Sequence, residues 1–284
     1  MIGAAASAPA SSANLGPGFD VVAMALDLRC RVTAEAAAQW SVASGGRPAG
    51  DGAARLLRSV AGSAGVPGDW RIEIDSDIPI ARGLGSSAAL IVAAAAALRR
   101  ASGLDAGPAA VFRIAGAVEG HLDNVAAATF GGTVAVGAGG TVRRLEVHPS
   151  LGVLVAVPER GLLTVEARRA TRARVETAVA ARTAARVAFL LEGLRTADPA
   201  LLAEAGGDEL HELRRAVLSP LTVRLIDSAR RAGALHACWS GAGPSALALA
   251  TDPSPIRTAW EEILSIEGGR VLDLARADDG LRYG

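Results

Sequence analysis

The sequence contains no lysine: all 29 of its basic side chains are arginine. A Walker A loop, G-x-x-x-x-G-K-[ST], uses its lysine to reach the terminal phosphates, so that motif is excluded. With heavy use of Ala, Gly and Val, the bias otherwise reads as codon usage and carries nothing functional. An excess of charge of either sign is also missing, since 29 acidic residues bring the net charge to zero. No basic field points to nucleic acid and there is no acidic tail, which leaves a small-molecule partner as the better fit. Cysteine is scarce. Cys30 and Cys238 lie far apart without metal-ligand spacing, which argues against a disulfide framework or a zinc site and fits reduced thiols in the cytoplasm. The opening MIGAAASAPASSAN has neither a positive n-region nor an apolar h-region, so it does not read as a secretory signal. The apolar run at 88–98 has 11 residues, against the roughly 20 that span a bilayer. A soluble, cytoplasmic protein is expected.

What is present is core material. Half of the 284 residues are apolar, enough for one large or two moderate domains, and two are expected, 1–150 and 151–284. VVAMALDL reads as helix or extended chain, RCRVTAEA as strand, AARLLRSVAGSAG as helix, and RIEIDSDIP alternates like a half-buried strand ended by Pro79. The alanine-rich run after Ser87 favours helix, PAAVFRIAGAVEGH reads as a second helix, and GGTVAVGAGGTVRRLEV as a hairpin. VLVAVPE opens the second half as a strand. Helices follow over about 175–195, through ELHELRRAVL and through RLIDSARRAG, then a strand, glycine loop and strand in ACWSGAGPSALALAT. Irregular alternation of helix and strand predicts an α+β fold rather than a doubly wound sheet.

Three glycine-rich loops stand out: SSANLGPGFD (11–20), IPIARGLGSSAA (78–89) and SGAGPSALAL (240–249). Glycines let backbone approach a phosphate closely, and a helix N-terminus offers unpaired N–H groups and partial positive charge. The middle loop joins both features. It does not match G-x-G-x-x-G. Taken alone it is equally a tight turn into a buried helix; three such loops in one chain favour anion binding.

These loops resemble, in order, the three motifs of the GHMP small-molecule kinases, the family of galactokinase, homoserine kinase, mevalonate kinase and phosphomevalonate kinase. EGHLDNVAAATFGG (119–132), HPSLGVLVAVPERGLLTVEAR and DELHELRRAVLSP are most similar to its homoserine kinase branch, so the resemblance covers nearly the whole chain. It implies an N-terminal domain of the ribosomal-protein-S5 domain-2 type and a C-terminal ferredoxin-like domain. The implied reaction is transfer of the ATP γ-phosphoryl to the side-chain hydroxyl of L-homoserine, in threonine biosynthesis, with Mg²⁺ and a homodimeric assembly.

The resemblance also assigns roles to matching residues. Pro79, Ile80, Ala81, Arg82, Gly83, Leu84, Gly85, Ser86, Ser87, Ala88 and Ala89 would wrap the ATP phosphates, with Ser87 near Mg²⁺. Asn14, Asp20, His121 and Asn124 would surround the amino acid, with Asp20 facing its ammonium group and Asn124 its hydroxyl. Thr164, Arg168 and Arg215 would sit near the reacting hydroxyl and the carboxylate, where a guanidinium makes a bidentate contact. Gly241 and Gly243 would close the site. Each has a plainer alternative: His121 or Asp20 as a helix cap, Arg168 and Arg215 as surface charges. His148, His211 and His236 read as structural.

Departures from the family pattern are expected to matter. Eight residues before the motif histidine, where these kinases usually carry a Mg²⁺-binding Glu, stands Arg113. Leu122 replaces a Pro, RRATRARV a Leu-Pro, Ala181 an Asn, and HELRR an HQPYR-type sequence. Two other readings therefore stay open: a GHMP kinase for another small amino or hydroxy acid, and a weakly catalytic nucleotide-binding relative.

Overall fold

The computed structural model describes residues 3–171 and 174–284, so Arg172 and Ala173 of the RRATRARV stretch lie outside it. In chain order the elements are β1 (Ala4–Ala13), β2 (Val22–Ala37), β3 (Ser41–Ser44), β4 (Arg47–Pro48), α1 (Asp51–Ser63), β5 (Asp69–Ser76), α2 (Ser86–Ala101), α3 (Pro108–Glu119), α4 (Leu122–Phe130), β6 (Thr133–Val136), β7 (Val142–Leu145), β8 (Gly152–Pro158), α5 (Thr164–Arg169), α6 (Thr177–Thr196), α7 (Pro199–Glu204), α8 (Glu212–Arg215), α9 (Pro220–Arg231), β9 (His236–Trp239), β10 (Ala246–Ala250), α10 (Ser254–Glu267), β11 (Gly269–Leu274) and β12 (Arg282–Tyr283).

VVAMALDL is extended and fuses with RCRVTAEA into β2, a single strand of 16 residues. It is central to a sheet ordered β12-β1-β2-β5-β3-β4, with β6 pairing β2 and β7 completing a hairpin on β6. Sequence reading missed β1, because its Ala residues favour helix, its Ser residues favour caps and turns, and Pro9 cannot donate to a ladder. The strand accommodates Pro9 where its register against β2 shifts, between Pro9 and Ala10. Its small side chains let α2 and α4 pack on the sheet. From Ile91 through Leu98 every residue of α2 is fully enclosed, which is why an alanine-rich helix serves here: a thin rod fits between sheet and helices.

The second sheet is antiparallel and ordered β11-β8-β10-β9. Numbered along the chain this is 4-1-3-2, with helices between its first and second and its third and fourth strands: the ferredoxin-like arrangement. α10 and β11 fall where no element was assigned from sequence. The chain end returns to the first sheet, where β12 pairs with β1 and Leu281 N–H donates to Thr129 O.

ELHELRRAVL was expected to be one helix; only Glu212–Arg215 are helical. The Asp208 carboxylate captures the His211 and Glu212 N–H groups at 2.6 and 3.2 Å and starts a new turn there. Pro220 then opens α9 and forces Ser219 out of helical geometry.

Candidate active site

A cavity of about 410 Å³ opens where the loops following β1, β5, α3 and β8 meet α8 and the β9–β10 loop. Residues Pro79 to Ser87 line it, whereas the Ala88 and Ala89 side chains turn into the core. Gly85, at φ +65°, caps α2, and Ala89 N–H is the first to bond within the helix, to Gly85 O. The backbone N–H groups of Ser86, Ser87 and Ala88 therefore have no partner among the described residues at the positive end of the helix, where an anion fits. Two glycines here have a structural reason as well. A Cβ on Gly83 would lie 2.1 Å from Ser240 O, and one on Gly85 2.1 Å from Ser11 Oγ. Ser240 Oγ also donates to Gly83 O at 2.8 Å, so the third glycine loop braces the middle one. Arg82 spends its donors on carbonyls, Pro158 O and Ile80 O at 2.9 Å each and Glu159 O, tying the loop to the end of β8.

Beside that loop Ser87 Oγ donates to Glu119 Oε2 at 2.7 Å. Burial holds the Glu119 carboxyl above its ordinary range, with the Ser87 bond opposing the shift. This corrects the expectation about Arg113, which is exposed on α3 and outside the cavity lining. Counting back eight residues from His121 lands on the outer face of that helix. Its last residue, Glu119, precedes a turn through Gly120 at φ +76° and lines the cavity instead. Glu119 stands inside the EGHLDN stretch, so the signal is present in the sequence two residues before the motif histidine.

The remaining candidates gather at the other side. Arg168 Nη2 and Nη1 donate to the two Asp20 carboxylate oxygens at 2.6 and 3.2 Å. Arg215 is buried at 2% exposure, so it is no surface charge. Its Nη1 donates to Gly241 O at 3.0 Å, an oxygen that also receives Asn14 Nδ2 at 3.2 Å. Burial first, and then Arg168, lower the Arg215 pKa to about 10. Asn14 Oδ1 accepts from Asp20 N–H at 3.1 Å and so shapes the turn. Asn14, Leu15, Asp20 and Ala81 all hold positive φ, 75°, 45°, 57° and 55°, and all lie in two cavity loops. Backbone strain of this kind concentrates at functional sites.

His121 is the N-cap residue of α4 but makes no side-chain cap bond, and it faces the cavity. Burial, reinforced by Arg168, depresses its pKa. Asn124 Oδ1 accepts from Ser11 Oγ at 2.8 Å, and Asp123 Oδ1 accepts the Asn124 N–H at 2.8 Å. Burial raises the Asp123 pKa to about 6. Thr164 and Gly241 line the cavity. Gly243 does not, and a Cβ there would meet the Trp239 ring at 2.4 Å, so its smallness serves packing. Sequence reading also missed Phe19 and Asp123, although both stand inside the motifs at 11–20 and 119–132, and the apolar lining at Gly52, Ala53, Leu56 and Leu90, for which no motif gave a signal. Among the described residues no cluster of three His, Cys, Asp or Glu side chains can hold a metal by itself. None of the described helices is long and apolar enough to cross a membrane.

Known proteins bear on this geometry. The sequence matches the GHMP kinases N terminal domain over residues 50–132 and the GHMP kinases C terminal domain over 190–267. It is 37% identical over 260 residues to a homoserine kinase of Moorella thermoacetica, covering 87% of each chain. A homoserine kinase of Pyrobaculum neutrophilum is 38% identical over 287 residues, covering 93% of this chain and 94% of its own. Among solved structures, a homoserine kinase from Cytophaga hutchinsonii superposes with a TM-score of 0.86 at 26% identity, covering 100% of this chain and 98% of that one. A mevalonate kinase, at 16% identity and a TM-score of 0.71 over 97% of this chain and 99% of that one, shares the fold.

Proposed function

The chain belongs to the GHMP kinase family, and we propose that its cavity transfers the γ-phosphoryl group of ATP to the side-chain hydroxyl of L-homoserine. The observation that carries the reading is one cavity with two unlike ends. One is the free helix N-terminus behind Gly85; the other is a set of opposite charges, Asp20 against Arg168 and Arg215. The first suits a polyphosphate and the second the ammonium and carboxylate of one α-amino acid. Apolar lining at Gly52, Ala53, Leu56 and Leu90 suits a nucleobase.

Phosphoryl transfer depends on positioning and charge stabilisation more than on covalent help from the protein. The amides of Ser86, Ser87 and Ala88 would receive phosphate oxygens. Mg²⁺ fits beside them, because Glu119 is a desolvated carboxylate whose only side-chain hydrogen-bond donor among the described residues is the Ser87 hydroxyl. Those two oxygens would hold the ion, with phosphate oxygens and water completing its shell. Bound there, the metal neutralises charge on the phosphates. Asn124, with Oδ1 held by Ser11, would orient the acceptor hydroxyl, and His121, whose pKa burial lowers, faces the same cavity. With Glu119 beside Ser87, the weakly catalytic reading loses the Arg113 argument on which it rested.

A panel of acceptors tests the proposal: homoserine, threonine, serine, mevalonate and small hydroxy acids with ATP and Mg²⁺, read by ³¹P NMR. Homoserine should give the highest kcat/KM, with a phosphomonoester on its side-chain oxygen. Preference for an acceptor without an α-amino group would remove the proposed pocket.

A further inference from the structure

We propose that His211 is a positioning residue for the amino-acid end of the cavity, a neutral imidazole in the Nε2–H tautomer that locks the Arg215 guanidinium to the turn carrying Phe19 and Asp20. The proposal deepens the functional reading above and rests on it for the role of Arg215.

His211 has no exposed side-chain surface and lies outside the cavity lining, so it does not touch a substrate. Its Nδ1 is 3.1 Å from Arg215 Nη1. A guanidinium has donors only, so Nδ1 must be the acceptor, and the ring proton belongs on Nε2. Nε2 in turn is 3.0 Å from Gly16 O, an acceptor only. The two partners thus demand the same tautomer. Burial drives the ring pKa down to about 4; the Asp208 carboxylate, with Oδ2 3.5 Å from Nε2, opposes the shift and Arg215 reinforces it, and the net effect keeps the imidazole neutral at physiological pH. Asp208 anchors the backbone from behind through the His211 N–H at 2.6 Å.

The ring also joins the charged groups sterically. Phe19 stacks on His211 with centroids 5.0 Å apart, and the same Phe19 ring lies 5.6 Å from the Arg215 guanidinium carbon and 5.7 Å from that of Arg168. With Nη1 committed to His211 and Gly241 O, Arg215 Nη2 makes no hydrogen bond within the chain among the described residues. The lock therefore fixes the plane of the fork and leaves one corner for a ligand carboxylate.

Steady-state kinetics of the full chain with homoserine and ATP test this, together with ¹⁵N NMR of the histidine side chains. His211→Ala should raise the homoserine KM about tenfold or more, as loss of a buried charge-assisted bond does, with the ATP KM unchanged. His211→Asn, whose amide oxygen can take the place of Nδ1, should recover most of that loss; it also serves if the alanine variant does not fold. In an Arg215→Ala background, His211→Ala should change the homoserine KM no further. Parallel rises in both KM values, or additive effects with Arg215→Ala, overturn the proposal. The NMR arm is independent of turnover: an Nδ1–H tautomer or an imidazolium at neutral pH sinks the lock even if the chain is a homoserine kinase. A wild type that ignores homoserine but carries the Nε2–H tautomer, lost to exchange in Arg215→Ala, would sink the substrate reading and leave the lock standing.

Discussion

Arg168 and Asp20, 148 residues apart in sequence, face each other across the cavity in a bidentate ion pair, Nη2 to Oδ1 at 2.6 Å and Nη1 to Oδ2 at 3.2 Å. Under the proposed function, an amino acid entering between them would replace one intramolecular pair by two intermolecular ones, ammonium to Asp20 and carboxylate to Arg168. The fold holds both charges in alignment, so binding would exchange partners rather than bury new charge.

It follows that Asp20→Asn and Arg168→Lys should both act on the acceptor. The two side chains are 40% and 33% exposed, so solvent screens them and each loss is worth about 1–2 kcal/mol, or about five- to thirtyfold in the homoserine KM. Lysine keeps the charge but not the fork, and should fail nearly as badly as alanine. KM for ATP should hold within about twofold. Initial rates with one substrate varied at a time decide it; a shift in the ATP constant of equal size would take the pair out of the acceptor pocket.

The metal end gives a contrast between two residues of α3. Glu119→Gln removes the carboxylate beside Ser87 and should raise the Mg²⁺ concentration for half-maximal rate about tenfold. Arg113→Glu, on the exposed face of the same helix, should leave that concentration unchanged. Magnesium titrations of both variants measure the difference. A response at Arg113 and none at Glu119 would reverse the assignment.

Gly85 has a structural role beside the one proposed for it in nucleotide binding. Its φ of +65° and the Ser11 hydroxyl 2.1 Å from a would-be Cβ predict that Gly85→Ala loses stability as well as nucleotide affinity, by about 1–3 kcal/mol from backbone strain before any clash. Ser11→Ala removes the colliding oxygen. The double variant should then melt higher than Gly85→Ala, although Ser11→Ala alone also gives up the bond to Asn124. Simple additivity of the two losses in thermal melts would mean that the collision is relieved in some other way.

Much of the candidate site was legible because its chemistry sits in short contiguous motifs. The loop at 79–87 and the Asn14 and Asp20 turn could be read as motifs, with their glycines standing where backbone needs positive φ or close approach. Glu119 was lost to a counting rule, since spacing along a chain does not say which face of α3 a residue occupies. β1 was lost because Ala favours helix and Ser favours caps and turns, and only pairing with β2 and packing against α2 make the segment a strand. Nor could any local pattern reveal His211 as more than a core histidine: its partners, Gly16 and Arg215, belong to loops that meet only in the folded chain.

Glu212, next to that histidine, should make stability fall as pH rises. Its carboxylate accepts Trp239 N–H at 2.8 Å and is otherwise enclosed, and burial raises its pKa from 4.5 to about 7. Between those values the folded chain holds a proton that the unfolded chain has released, so this stabilisation is complete below pH 4.5 and is lost as pH rises through about 7. His211 acts in the opposite sense. Its pKa is lowered from 6.5 to about 4, so its contribution is complete above pH 6.5 and declines as pH falls toward 4. From about pH 6.5 to about 8 the Glu212 contribution declines, with Asp123, raised to about 6, adding a tail of the same sign, while His211, His121 and His236, all lowered from 6.5, add an opposing rise that fades as the unfolded histidines lose their protons. Glu212→Gln keeps an acceptor for Trp239 and cannot ionise. The glutamine variant shares every other titrating group, so thermal melts should show the stability of the wild type falling relative to the variant over that range. Parallel curves would mean that the Glu212 carboxyl titrates alike in the folded and unfolded chain, and that its burial is relieved by a partner beyond the Trp239 amide.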